Sequence, residues 1–368
     1  MAQRTVGTHD SLPLQYTQSG NSRRNKATCA CCRRRRRRKK RLLRYDEVPS
    51  YMKRPHIVEG YRSDLSTLEC VQSVVEVHNE TGNIWSHIFG CMLSLRLAWG
   101  LSDGMLKGIV HDAMELEVFP KAETSIHFPS PSDPFPEGLV LQLYLGAAAV
   151  CLLMSSIYHI GCCSRNEDRC ALLLRLDMSG VAMLISASFL PGVYYGFACH
   201  EHLQYSYLWS VGVMFAIGFG ANVLGGSAND PRAHRVRYLI MAFLVAIAAC
   251  VAVNWALLVA PEARGVLGMG VAVTISLYAV GFTFYASKWP ESSWPGCFDY
   301  FLHSHQLWHM CVVAAVYIWY RACLASSRLL DERGCVAFVR VNDGTTMLRV
   351  RSSFELKVEP ATVDSISP

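Results

Sequence analysis

The sequence predicts an all-α fold, a bundle of seven transmembrane helices. Three observations predict it. The chain has 368 residues, 51% of them hydrophobic and only 17% charged, against about 25% charged residues in a soluble domain. The apolar residues gather into seven stretches, at 84–102, 138–160, 172–197, 204–225, 237–260, 265–286 and 301–322. Each is close to or above the ~20 residues that cross a bilayer as a helix. Finally, the polar segments between them carry an uneven share of Lys and Arg, as the connections of a membrane bundle do.

Residues 1–44 form a basic tail with fourteen Lys and Arg. Within it, CACCRRRRRRKKRLLR (29–44) sets nine consecutive basic residues, Arg33–Arg41, behind Cys29, Cys31 and Cys32. A block of like charge repels itself and cannot pack, so the tail is expected to be disordered. Its expected partner is anionic lipid, with about 1 kcal/mol of attraction per basic residue near the surface. The cysteines are candidates for acylation. A nucleic-acid partner is excluded by the anchoring of the chain in a membrane. No secretory signal is expected, because residues 1–80 are polar and basic.

Residues 45–83 read as a cytoplasmic approach segment. An amphipathic helix over Leu65–Val77 is broken by Thr81, Gly82 and Asn83, and Trp85 suits the interface. The transmembrane domain is 84–322. Its first span is the weakest, being short and interrupted by Arg96, which can snorkel. Arg165 and Arg169 follow the second span, and Arg232, Arg235 and Arg237 follow the fourth. Residues 198–203 carry no Lys or Arg, and 260–264 carry only Arg264. The N-terminus is therefore predicted cytoplasmic and the tail 323–368 extracytoplasmic. That tail holds a hairpin signal at Asn342-Asp343-Gly344. The fifteen cysteines do not suggest a disulfide scaffold, since several lie within spans as small hydrophobes. Cys162, Cys163 and Cys170 match no familiar zinc spacing.

The seventh span opens on HSHQLWHM, residues 303–310. Three histidines entering an apolar helix are costly, and such groups face a bundle interior or a water-filled cavity. His305 and His309 stand at i and i+4, on one face about a turn apart. The predicted topology puts three other groups at the same cytoplasmic depth. Ser155 and His159 end the second span in SSIYH, and Asp177 begins the third in RLDMSG. Three imidazole nitrogens are an established ligand set for catalytic zinc, with water in the fourth position. Zinc lowers the pKa of such a water toward ~7. Asp177 is then placed to accept its proton, and Ser155 to hold a substrate carbonyl or the ligand shell. His303 is on another face and is read as non-ligating. His87 is expected to hydrogen-bond a neighbouring helix, and His200 and His202 lie at the opposite membrane face.

VPSYMKRPHIVEGYR (48–62), VHNETGNIWSHIFG (77–90), SSIYH (155–159), LDMSG (176–180), PGCFD (295–299) and SHQLWHM (304–310) occur in this order. In them the chain resembles the progestin and adipoQ receptor family, which includes adiponectin receptors and haemolysin III-like proteins. The GYR and HNETGNIW blocks most resemble the adiponectin-receptor branch. The resemblance covers residues 45–322. It implies seven helices, a cytoplasmic N-terminus, and a zinc ion on His159, His305 and His309, with Asp177 contacting the zinc-bound water and Ser155 beside it. It also implies lipid sensing, signalling and ceramidase-like amide hydrolysis, with a sphingolipid substrate or ligand, and for some members an extracellular hormone. The oligo-arginine tail and the long C-terminal tail depart from the family, and Met178 stands where relatives often have an aromatic residue.

Three functions fit these residues: a zinc hydrolase of a lipid amide, a receptor in which zinc is structural, and a pore. A pore needs polar steps through the membrane, whereas these groups cluster at one depth. A nearby base favours the hydrolase.

Overall fold

The computed structural model describes residues 42–103, 137–224, 231–258, 265–333, 335–341 and 344–350. The basic run and Cys29, Cys31 and Cys32 lie outside the described residues. So does most of the tail, since description begins at Leu42.

The architecture is mostly helical. Among the described residues a short helix, α1 (Thr67–Gln72), precedes seven long ones: α2 (Thr81–Asp103), α3 (Glu137–Gly161), α4 (Glu167–Gly196), α5 (Glu201–Leu224), α6 (Pro231–Leu258), α7 (Gly265–Ser287) and α8 (Ser304–Arg333). These overlie the seven apolar stretches. Five of them, α3, α4, α5, α7 and α8, are long and apolar enough to cross a membrane. In α6 the apolar part is shorter, Ala242–Leu258, because Arg232, Arg235 and Arg237 occupy its first turns. Two strands, β1 (Cys335–Val341) and β2 (Gly344–Val350), pair antiparallel, so the hairpin expected from the turn signal forms. Asn342 and Asp343 themselves lie outside the described residues.

Local chemistry sets the helix starts. Ser66 and Glu69 cap α1 reciprocally, each side chain accepting from the other's backbone N–H. Asn166 accepts from the Arg169 N–H at 3.1 Å and starts α4, with Glu167 and Asp168 in the first turn where the helix dipole favours acids. Thus α4 begins at residue 167, earlier than its apolar stretch. The Glu291 carboxylate accepts the backbone N–H of Ser304 at 2.7 Å and anchors the first turn of α8. That helix continues to Arg333, well past the predicted end at 322, because hydropathy marks the apolar part of a helix and not its end.

The core lies where α8 packs against α2, α3, α4 and α7. Leu141, Tyr144, Leu145, Ala148 and Leu152 of α3 meet Val312, Val316, Trp319 and Tyr320 of α8, all buried. Polar tips inside it are satisfied: the Tyr144 hydroxyl donates to the Val316 carbonyl at 3.1 Å and the Trp319 indole to that of Ser188 at 2.8 Å. Small residues bring helices close. A Cβ at Gly180 would stand 3.1 Å from the Cys151 backbone. The outer faces of α5, α6 and α7 remain apolar and exposed, with Trp209, Leu239, Leu257 and Phe282 each more than half exposed. That is the pattern of a helix whose outside meets lipid.

The approach segment folds onto the α2, α3 and α8 ends. Val48, Met52, Ile57 and Tyr61 make a small core of their own. Asp299 accepts the N–H groups of Val58 and Glu59 at 3.0 and 2.8 Å, fastening this segment to the loop before α8. The amphipathic helix expected over Leu65–Val77 is shorter: α1, then a single 3₁₀ turn at Ser73–Val75.

Candidate metal centre

The histidines that the sequence placed at one depth come together. His159, in the last turn of α3, meets His305 and His309 from the first two turns of α8, with one ligand nitrogen of each within 4.8 Å of the others. The ring centroids are 4.6–5.1 Å apart. His159 is fully buried and His309 nearly so, while His305 is half-buried.

Hydrogen bonds choose which nitrogens point inward. The Glu80 carboxylate accepts from His159 Nδ1 at 2.8 Å, and the Asn83 carbonyl accepts from His309 Nδ1 at 3.2 Å. An acceptor at Nδ1 places the proton there and leaves Nε2 as a lone-pair donor. His159 Nε2 and His305 Nε2 then stand 3.3 Å apart. Lone pairs so close repel unless a cation or proton lies between them. A buried three-imidazole set with its outer nitrogens anchored fits a divalent metal ion.

Glu80 is the member that the sequence reading missed. HNETGNIW was read as a turn and helix-start device, and it is one. Thr81 Oγ1 accepts the His78 N–H at 2.9 Å, and His78 Nδ1 accepts the Glu80 N–H at 3.0 Å. Burial holds His78 neutral, down to a pKa of about 3. The turn also aims Glu80 inward, where it accepts from Arg54 Nε at 3.3 Å and Asn83 Nδ2 at 2.5 Å as well as from His159. Burial alone would raise the Glu80 carboxyl, but the attraction of His159 and Arg54 holds it well below the usual carboxylate range. Arg54 in turn donates to the Tyr158 hydroxyl at 2.9 Å. Arg62 of the GYR block donates from Nη2 to the His159 carbonyl at 2.8 Å, so both ends of His159 are held.

The other candidates divide. Asp177 is buried on α4 and hydrogen-bonded to the Ser155 side chain. Asp177 and His305 line one cavity of about 360 Å³, whose wall also includes Leu174, Met178, Val181 and Tyr285. His303 is outside the histidine cluster and contacts the Asn79 carbonyl through Nε2 at 3.0 Å. His87 packs flat on His309, centroids 3.6 Å apart and 9° between planes. This ring stack joins α2 to α8, the kind of contact with a neighbouring helix that the sequence assigned to His87. Cys199, between α4 and α5, is disulfide-bonded, while ten other cysteines among the described residues are free thiols, so the cysteines form no disulfide scaffold there.

Residues 75–320 match the family described as haemolysin-III related. The chain is 28% identical over 303 residues to progestin and adipoQ receptor family member 3 of Mus musculus, covering 81% of this chain and 90% of that one. It is 30% identical over 303 residues to heptahelical transmembrane protein 1 of Arabidopsis thaliana, covering 80% and 83%. With the adiponectin receptor protein of Drosophila melanogaster the identity is 28% over 289 residues, 76% of this chain and 58% of the relative.

Proposed function

The chain belongs to the haemolysin-III related, progestin and adipoQ receptor family, and from that premise we propose that it is a membrane zinc hydrolase of a ceramide-like lipid amide. The observation that carries this reading is the opening of the histidine cluster, through His305, onto the cavity that Asp177 also lines. A structural zinc site is closed, whereas a catalytic one keeps an accessible position.

His159, His305 and His309 would hold the ion, His159 and His309 through the Nε2 atoms that their Nδ1 hydrogen bonds leave free. A bound Zn²⁺ supplies Lewis acidity toward an amide carbonyl and lowers the pKa of water toward ~7. Asp177 takes the proton of the attacking water and returns it to the departing amine nitrogen. The products are a carboxylic acid and an amine, so one water is consumed. Ser155 orients the Asp177 carboxyl through its hydrogen bond. Leu174, Met178 and Val181 offer the acyl chain an apolar wall. The word receptor in the name of the murine relative favours a second reading, in which zinc ties helices together and lipid is sensed without turnover. Stripping the metal with a chelator and restoring zinc separates the two. Ceramide hydrolysis in lipid vesicles should vanish and return with the metal; a zinc-replete protein without turnover supports the second reading.

In this proposal all seven long helices cross the membrane, with the basic tail in the cytoplasm against anionic lipid and the β1–β2 hairpin outside. The Lys and Arg bias supports it. So does the Cys199 disulfide, which lies at the end of α4 away from Arg165 and Arg169 and so on the oxidising side. Tags on the two termini should be digested by protease from opposite faces of sealed vesicles. Digestion of both from one face contradicts seven crossings.

A further inference from the structure

Away from the histidines, a second group of reactive side chains gathers where α1 meets the α3–α4 turn. Cys163, just beyond α3, donates its thiol to Cys70 Sγ of α1 at 3.5 Å. Both are free thiols, each only 2% exposed. The backbone around them is zipped: Leu65 N–H donates to the Cys163 carbonyl at 3.2 Å and Arg165 N–H to the Leu65 carbonyl at 3.1 Å. Arg62 holds Ser73 Oγ at 2.6 Å, and Ser73 Oγ donates to the Cys70 carbonyl at 2.7 Å. The Arg62 Nε–H has no hydrogen-bond partner among the described residues, although Arg62 is buried.

The two thiols are unlike. The hydrogen bond from Cys163 is the main cause that holds the Cys70 thiol below its ordinary value, and the Arg62 charge adds to it against burial. Giving that hydrogen bond, together with burial, pushes Cys163 up. Cys70 is thus the more readily ionised of the two, which suits it to attack and Cys163 to resolve.

We propose that Cys70 and Cys163 are a modification site, oxidised by a hydroperoxide to a reversible disulfide that clasps the approach segment to the turn following His159. The Cys70 thiolate attacks one peroxide oxygen. The S–O bond forms, the O–O bond breaks, and the departing alkoxide, or hydroxide from hydrogen peroxide, takes up the proton that Cys70 gave up and leaves as an alcohol or water. Cys163 sulfur then attacks Cys70 sulfur. The S–S bond forms, the S–O bond breaks, and the second oxygen leaves as water with the Cys163 proton. The two sulfurs together lose two electrons and the peroxide gains two. Thiol reductants reverse the step by exchange. The pair lies at the opposite end of α4 from disulfide-bonded Cys199. In the proposed orientation that is the reducing side, so the dithiol is the resting form.

The test uses the full chain in lipid nanodiscs, treated with hydrogen peroxide, denatured, alkylated and mapped by mass spectrometry. The expected result is a Cys70–Cys163 linked peptide in most chains, removed by dithiothreitol, while Cys91, Cys151 and Cys323 remain alkylated. Cys70→Ser should leave Cys163 alkylated, and Cys162→Ser should leave the link intact. In the linked wild-type chain, amide hydrogen exchange at Leu65 and Arg165 should slow by about threefold or more, since local opening of the zipped backbone is restrained. The disulfide is overturned if both thiols stay alkylated at a peroxide dose that oxidises exposed Cys297, or if Cys163 links to Cys162 or Cys170 instead. Unchanged exchange in a fully linked chain overturns the clasp.

Discussion

Asp177→Ala is expected to keep its metal and lose its chemistry. Asp177 is not among the three grouped ligands, so zinc content should stay near that of the wild-type chain. Its carboxyl lines the cavity onto which His305 opens, and losing a positioned general base costs about 10²–10⁴-fold in rate. Asp177→Asn should fall almost as far, because it keeps the shape and loses the basic oxygen. Ser155→Ala should fall less, since Ser155 acts through Asp177. Rates on ceramide in lipid vesicles, set beside metal content by elemental analysis, check this. Full turnover in a zinc-replete Asp177→Ala chain would remove the base role.

The histidines should show the opposite split. His305→Ala or His309→Ala is expected to remove most of the metal, because two imidazoles on separate groups lose both affinity and geometry. His159→Ala should do the same and also strand Glu80 and Arg54, which now pair around it. Thermal stability should fall in all three, since the cluster joins α3 to α8 and metal affinity is coupled to folding. Glu80→Gln should be graded between these and the wild type. It keeps an oxygen for the His159 Nδ1–H but loses the charge that fixes the ring, a kind of support whose loss costs about 10–100-fold in metal affinity. Competition against a zinc-chelating dye gives the order. A Glu80→Gln chain with unchanged zinc affinity would make the carboxylate a mere turn residue.

Helix positions were legible because twenty apolar residues in a row have few other uses, and the long helices overlie the seven stretches. Their ends were less so. The start of α4 depends on the Asn166 cap and the acids after it, and the end of α8 lies among polar residues that hydropathy does not count. The histidine cluster was legible because i, i+4 spacing puts His305 and His309 on one face and topology sets the depth of His159. Glu80 was not. It sits 79 positions from His159 in a polar turn already read as a helix-start device. The signal that could have found it is depth: the turn enters α2 at the same membrane level as the end of α3, and a buried imidazole there needs an acceptor for its second nitrogen. The Cys199 disulfide was not legible, because the spacing of a cysteine in the chain does not show which other cysteine it meets in the fold.

Hydrolysis by water is the central claim, and labelled water tests it most directly. The purified chain, zinc-replete and in vesicles containing ceramide, is incubated in ¹⁸O-water, and the released fatty acid is weighed by mass spectrometry. The account predicts many fatty acids per chain, each carrying one ¹⁸O atom, with release abolished by a chelator and restored by zinc. Fatty acid without label, or none released from a chain that holds its zinc, would contradict it.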